Sequence, residues 1–573
     1  MAIDLPPVLP PVLADQAQVE ALQSNSGQPI IENVADTPLK IYGNRHLSEE
    51  DVRTIVSGAT TPSDAIISLT RRYYESGNLL MKVHYIRSID SILVFVDQLT
   101  LTEVKGDPQA VAHFRDLEGD SDLTIAEFDR ERVLADLQAT RAGYEYSISY
   151  EEGSNNDVAM VFNRSDKADA KLTEFVVEAN NKGSRFLGRY FGLAGVNHSF
   201  KDGTKVAAAY QTAFTDLGES RDGEELNQYS LSVDKPFTTG LYGVDLGYIE
   251  YERKLKVDSQ GATSGAGLTD LLGDLPLLGD VCGLLGLCGG TGNPDSLGLD
   301  AEITQFALRG EQVLFSTPWQ RLTLNQRLEH VDSTIEVQGV SEKLLDEEYQ
   351  VAELGAKYSR TSYQDQGSAP SQFSASLKLR AGFGDGGTLD DYPAFRAAYE
   401  SQFPGEPVPE VVAQARTAEF IALRPEANYQ LKVADNLAWV STAKAQFADE
   451  QVPQQQQFIL GGMDTLSAYL PGILVGDEGY FVDTRLESRY SWNDFIVVPS
   501  VFVEYGGAWY NNASSPEGDE QTIGDAGLRL KVNYKSFLYT EIVAARPVYD
   551  DVANDDRLDD LEADFYWRVR ATF

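Results

Sequence analysis

From Glu562 to Phe573 the chain alternates residue by residue between two kinds of side chain. Ala563, Phe565, Trp567, Val569, Ala571 and Phe573 take one set of positions, and Glu562, Asp564, Tyr566, Arg568, Arg570 and Thr572 the other. Successive side chains of a strand point to opposite faces, so this segment, when extended, has an apolar face and a charged face. A soluble sandwich would have to bury one of them, and burying unpaired charge is costly. Lipid on one side and water on the other suits both, which is the situation of a transmembrane barrel strand.

Other segments keep the rhythm. Ala526, Leu528, Leu530, Val532 and Tyr534 oppose Asp525, Arg529, Lys531 and Asn533; Val497, Val501, Val503 and Tyr505 oppose Ser500, Glu504 and Gly506. The mean hydropathy is -0.28, that of a soluble protein, and the chain has no apolar run long enough for a transmembrane helix. Only helices and closed barrels satisfy the backbone in lipid, so membrane residence here requires a closed barrel. From about residue 171 strand signals continue to the end, and the connections are short and long in turn. The short ones are Lys201-Asp202-Gly203, Thr238-Thr239-Gly240, Thr317-Pro318, Asp435-Asn436, Asn493-Asp494 and Lys535-Ser536; the long ones span 256–298, 385–417, 451–478 and 549–561. Outer-membrane barrels have short periplasmic turns and long outer loops. The predicted fold is a transmembrane β-barrel of about sixteen antiparallel strands over 169–573, with both ends on the periplasmic side. The abundant aromatics, 28 Tyr and 25 Phe, fit girdles at the two membrane interfaces.

The segment before the barrel reads differently. Residues 1–37 begin Pro-rich, carry a short helical stretch from Leu13 to Leu22, and end in a linker with Ser24, Asn25, Ser26 and Gly27. They read either as a disordered tail or as an ordered helix and linker. Met1-Ala2-Ile3-Asp4 lacks the basic and apolar regions of a signal peptide, so the chain is expected to be a mature one. Residues 38–98 spell strand, helix, helix, strand, strand. Ser48 with Asp51 makes a capping-box-like start, Thr61-Pro62 opens the second helix, and Gly77 stops it. The same order returns over 99–168, with helices from Pro108 and Thr124 and a stop at Gly143. Two copies of one module are an internal repeat.

Composition removes some functions. The net charge is -41, from 88 acidic and 47 basic residues, which excludes the basic face that nucleic-acid binding needs. Cys282 and Cys288 are the only cysteines and read as a short-loop disulfide of an oxidising compartment. They lie in an apolar stretch, 268–290, which reads either as a compact loop pinned by that bond or as a contact surface for partner or lipid. With five scattered His and no second cysteine pair, no metal site is expected. The aspartates at 550–551, 555–556 and 559–560 lack EF-hand spacing and read as a solvated loop. There is no nucleophile elbow, P-loop or zinc motif, so neither enzyme activity nor a cofactor is expected.

Several motifs carry a family resemblance. The repeated module resembles polypeptide-transport-associated (POTRA) domains, which bind unfolded chains partly by adding a strand to a sheet edge. Asn180-Asn181-Lys182-Gly183-Ser184, followed by Gly188-Arg189-Tyr190, resembles the first barrel hairpin of the two-partner-secretion transporters, the ShlB/FhaC/HecB family. Leu460-Gly461-Gly462-Met463-Asp464-Thr465-Leu466-Ser467-Ala468-Tyr469 resembles that family's sixth loop, in which a Gly-Gly pair precedes a Val-Arg-Gly-Tyr tip folded back into the lumen. Phe502-Val503-Glu504-Tyr505-Gly506 resembles the family's Phe-x-Asp-x-Gly motif, whose carboxylate holds the tip arginine. Phe565, Trp567 and the terminal Phe573 resemble the signal by which outer-membrane barrels are recognised for assembly.

This chain departs from the pattern at the tip. Ser467 stands at the arginine position, Ala468 at the glycine position and Glu504 at the aspartate position. A charge-assisted lock is thereby weakened or rebuilt, and alternation nominates Arg485 or Arg489 as the replacement cation for Glu504. The resemblance implies a monomeric outer-membrane translocation pore. Its periplasmic modules would capture an unfolded, large secreted exoprotein, its residues 1–37 would supply a plug helix, and its loop 451–478 would fold inward. It also implies contact with outer-membrane lipid and with the barrel assembly machinery. The competing readings are an assembly factor of the Bam/Tam type and a passive porin or surface-binding barrel.

Overall fold

The structure is a computed structural model. It describes residues 2–15, 19, 27–153, 156–183, 189–214, 225–255, 297–338, 340–362, 370–386, 392–402, 404, 416–511, 520–553, 558 and 561–573. Among these, no helix is long and apolar enough to cross a membrane.

The alternating segments form a closed antiparallel barrel of sixteen strands. It runs from Thr173–Asn180 to Tyr566–Thr572, whose pairing (Arg568 with Asn180 through Thr572 with Val176) closes the wall. Glu478–Ser488 and Tyr490–Trp492 both pair with Phe495–Trp509 and act as one strand with a break at Arg489. Each short connection named above is a hairpin turn. Side chains obey the alternation: Val501, Val503 and Tyr505 are exposed while Ser500, Phe502 and Glu504 are buried. Phe200, Phe237, Trp319, Trp492, Phe495, Phe537 and Phe573 all stand exposed in or beside the short turns, as one girdle of an outer-membrane barrel would. Tyr480, Tyr505, Trp509 and Tyr549 touch one another toward the other rim.

Before the barrel lie two small α+β units. In the first, β2 (Ile30–Val34), β3 (Thr37–Tyr42), α1 (Glu49–Ser57), α2 (Pro62–Glu75), β4 (Met81–Arg87) and β5 (Ile92–Gln98) follow in order. β3 and β5 are parallel and β4 is antiparallel to β5. The Ser48 and Thr61 side chains accept the backbone N–H groups of Asp51 and Asp64, which starts each helix. Val52, Val56, Leu69 and Tyr73 then face Leu39, Val83 and Val94 in a buried core. The second unit has β6 (Thr100–Gly106), α3 (Pro108–Phe114), α4 (Ile125–Ala142), β7 (Tyr144–Glu152) and β8 (Asp157–Asp166). β6 is parallel to β8 and β7 antiparallel to it. Thr124 and Glu127 form a reciprocal capping box at the start of α4, and Gly143, at φ 75°, ends it. Phe114 stacks on Phe128 and Phe162 in its core.

Three expectations are corrected. Leu13 is not in a helix: Val12–Leu13 form β1, parallel to β4, because the prolines before them hold the chain extended. β2 lies within the stretch read as a linker; Ala35 and Asp36, both at positive φ, make its tight turn to β3. Ala563 does not face lipid. It is buried, and its N–H donates to Ala468 O at 2.7 Å, because the last strand starts only at Tyr566. Cys282, Cys288, the apolar stretch 268–290, the aspartates at 555–556 and 559–560, and most of the Leu13–Leu22 stretch lie outside the described residues.

Candidate functional site

The loop 451–478 is packed inside the barrel. Phe458–Leu460 and Leu474–Gly476 pair as a hairpin stem. Its base is tied by two carboxylates: Asp477 accepts the N–H groups of Val452 and Asn511 at 2.9 and 3.0 Å, and Glu478 accepts that of Ala448. The polar run before the stem reaches the opposite wall, where Gln455 donates to Ser333 and Gln456 to Tyr349. Two glycines of the wall make room for the stem. A Cβ at Gly479 would lie 2.3 Å from the Phe458 ring, and one at Gly506 would lie 2.9 Å from Leu460.

The tip is a compact turn. Gly461 and Gly462 have φ of 105° and 89°, and a Cβ on Gly461 would meet Leu470 O at 2.2 Å, so this position demands glycine. Leu466 also adopts positive φ, at 53°, and aims the next two N–H groups at the wall. Ser467 N–H donates to Glu504 Oε2 and Ala468 N–H to Asp525 Oδ2, both at 2.7 Å. Ser467 and Asp525 have no solvent access, and Glu504 and Ala468 have 1%. Glu504 and Asp525 are direct cross-strand partners, so two carboxylates stand side by side beneath the tip.

The cation that meets Glu504 is Arg529. Its guanidinium lies 3.4 Å from Glu504 Oε1, donates to Met463 O at 3.1 Å, and sits 5.2 Å above the Phe502 ring. It also lies 3.7 Å from Glu541. The expectation for Arg485 and Arg489 is therefore corrected. Arg485 does face inward, but its own strand's Asp483 and Glu487 take it. Arg489 sits exposed at the short-turn end of that strand, with its N–H on Asn436 O. The alternation had placed both Asp525 and Arg529 on the inner face; what it could not supply is depth along the lumen, which cross-strand register decides.

The loop carries no charge at Ser467 and Ala468, and the cation stands on the wall at Arg529. Two backbone amides hold the wall carboxylates, and charge-assisted hydrogen bonds from amide to carboxylate are among the stronger kinds. The rest of the tip docks on the chain's end. Leu470 N–H donates to Leu561 O, and Tyr566 Oη–H to Tyr469 O at 2.6 Å. Asn181 of the first hairpin clasps the last strand: its side chain accepts from Trp567 N at 2.6 Å and donates to Phe565 O at 3.0 Å. Lys182 pairs with Asp464 of the tip. Phe573 exchanges backbone hydrogen bonds with Phe175 at the closure.

A second charged feature lines the lumen. Asp234, Arg309, Asp245, Arg327, Glu329, Arg380 and Glu353 form an unbroken chain of ion pairs across neighbouring strands, with contacts of 2.6–3.2 Å. It ends on Arg141 of α4, which pairs with Asp234. Around that contact, Gln138 donates to Asp202 O at 3.0 Å, Lys201 to Ala142 O at 3.1 Å, and Ser316 to Asp129. Helix α4 is thus seated on the short turns. His113 holds Gln138 from behind: its Nε2 lies 2.6 Å from Gln138 Oε1, and its Nδ1 is buried without a partner. Burial lowers the His113 pKa, with the Gln138 bond opposing it. Among the described residues no cluster of His, Cys, Asp and Glu is suited to a metal.

Comparison with known proteins agrees with the geometry. Residues 292–530 match the family described as haemolysin secretion/activation protein ShlB/FhaC/HecB. The fold is similar to that of CdiB from Escherichia coli, with a TM-score of 0.64 at 14% identity over 98% of this chain and 96% of that one. CdiB from Acinetobacter baumannii gives a TM-score of 0.57 at 12% identity, covering 97% of each chain. BamA from Haemophilus ducreyi lacking POTRA domains 1-3 gives 0.50 at 12% identity, covering 95% of this chain and 100% of that one. No curated protein sequence matches. These matches bear out the resemblance to two-partner-secretion transporters.

Proposed function

We propose that this chain, an outer-membrane secretion pore of the ShlB/FhaC/HecB type, captures an unfolded secreted protein through two periplasmic POTRA modules and passes it outward through the barrel. The observation that carries this reading is the seating of α4 on the short turns of the barrel. If the second module binds peptides as POTRA domains do, a captured chain has only a short distance to travel from α4 to the lumen. The loop tip on Glu504 and Asp525 is the closed state of the lumen, and the partner's passage requires its release. Folding of the partner outside supplies the direction of transport. The family implies a secreted partner, and its chemistry here is that of an extended chain: a ladder of alternating charge offers water-like contacts and no apolar place to stick.

The test is deletion of residues 38–165 with the barrel retained. Assembly of the barrel is read by heat-modifiable electrophoretic mobility, and export by the partner's arrival at the cell surface. Loss of export with an assembled barrel is the expected result; undiminished export refutes the capture role. Widespread misassembly of other outer-membrane proteins on depletion would instead favour an assembly factor.

A further inference from the structure

Both α+β modules have their sheet edge occupied by the same piece of this chain. Ile3 pairs in parallel with Tyr146 of β7, and Tyr146 N–H donates to Ala2 O at 2.8 Å. Ten residues on, Val12 and Leu13 pair in parallel with His84 and Tyr85 of β4, and Ala14 N–H donates to Tyr85 O at 2.9 Å. Between these points Tyr74 Oη–H donates to Pro6 O at 2.7 Å. Asp136 accepts the N–H groups of Ala2 and Ile3 at 2.6 and 2.9 Å. Ile3, Leu9 and Ala14 are buried at 0%, 3% and 4% exposure; Ile3 and Leu9 lie in one cluster with Leu79, Leu80, Leu99 and Leu101 at the junction of the modules. Val19, beyond the strand, packs on Phe95 of the first module.

The contact is extended but thin. Pro6, Pro7, Pro10 and Pro11 have no N–H to give a ladder. They favour the polyproline conformation, which lowers the entropy lost on holding the segment straight. The strand formed at β4 has 2 residues against an edge of 7, and β7, with 9 residues, is met at a single bridge. Much of both edges is left for a partner that can donate more hydrogen bonds. Edges of this kind are templates for an added strand. Both run in the same direction relative to residues 2–14, so one extended chain of about a dozen residues, roughly 3.1 Å each, reads both modules at once.

We infer that β7 and β4 form one continuous strand-addition site for an extended client segment with apolar anchors near its two ends and its middle, and that residues 2–14 are its resident occupant, displaced when the client binds. The inference rests on the transport reading for its client. It adds that the empty-handed transporter covers its own sticky edges, and that clients richer than residues 2–14 in backbone donors win the site.

The probe is a fluorescein-labelled peptide with the sequence of residues 2–14, added to the full-length protein in detergent and followed by fluorescence anisotropy. A chain lacking residues 2–14 is expected to bind it at least tenfold more tightly than the intact chain. Replacing Pro10 and Pro11 of the peptide with threonine should tighten binding further. Equal affinity for the two proteins, or no binding to the shortened one, overturns the inference. If the shortened chain does not fold, Leu9→Asp in the full chain loosens the same segment and is held to the same outcomes. The assay contains no secreted partner. A failed exchange therefore leaves the transport reading intact, whereas normal exchange with export unaffected by deletion of residues 38–165 sinks only the latter.

Discussion

Replacing Arg529 with methionine keeps most of the side-chain volume and removes the cation that stands between Glu504 and Glu541. Glu504 is 1% exposed, Asp525 is fully buried and Arg529 is 8% exposed, so solvent cannot readily stand in for the guanidinium. Breaking a buried pair by deleting one partner costs about 3–5 kcal/mol. The lower end applies here, because the tip amides of Ser467 and Ala468 remain on the carboxylates and lumenal water lies nearby. The tip also loses the bond from Arg529 to Met463 O. A loss of about 3 kcal/mol shifts a docking equilibrium by about 150-fold. The assay is single-channel recording in planar bilayers, read as the fraction of time spent at the large conductance level. Arg529→Met should raise the ratio of open to closed time by about two orders of magnitude. Arg485→Met, whose guanidinium serves Asp483 and Glu487, should leave it near the parent value. An unchanged Arg529→Met, or an equal rise in both variants, refutes the assignment of the lock.

Gly461→Ala would place a Cβ 2.2 Å from Leu470 O at a φ of 105°; the tip should fail to form and chymotrypsin should cut after Leu466 or Tyr469 of the assembled barrel while sparing the parent. Thr124→Ala removes the capping box of α4 and should cost the second module about 1 kcal/mol, measured as faster hydrogen exchange of α4 amides, with Thr124→Ser recovering most of it. His113 has its pKa lowered by burial from 6.5, so the folded module binds fewer protons than the unfolded chain. Its contribution is fully present above about pH 6.5 and is lost as pH falls through the depressed folded value. Protection of α3 and α4 should therefore decline on going from pH 7.5 to 5.5, and His113→Gln should flatten that decline.

The barrel was legible because lipid and water impose a period of two on every strand, and because turn residues such as Lys201-Asp202-Gly203 and Asn493-Asp494 mark where strands reverse. The inward set at 500, 504 and 506 and the charged partners at 525 and 529 followed from the same period. Which cation meets Glu504 did not follow. Arg485 and Arg529 are both inward-facing neighbours, and the choice is made by Asp483 and Glu487, which flank Arg485 on its own strand and hold it there. Ala563 was misplaced because alternation carries no mark of where a strand begins; the loop tip captures its N–H first. The seat of residues 2–14 was hidden for a different reason. A Pro-rich segment has no periodic apolar face, and its anchors Ile3 and Leu9 acquire a meaning only when two module edges are brought into line.

The central claim is that an unfolded partner travels through the lumen lined by Arg309, Arg327 and Arg380. A photo-cross-linking residue at Asn325, on the same face of its strand as Arg327, tests it in cells exporting a secreted partner of this pore, with a matched probe at the exposed Leu328. A cross-link from position 325 to the partner during export, and none from 328, is the result the account expects. Efficient export with no cross-link from 325, or equal cross-linking from both faces, would contradict it.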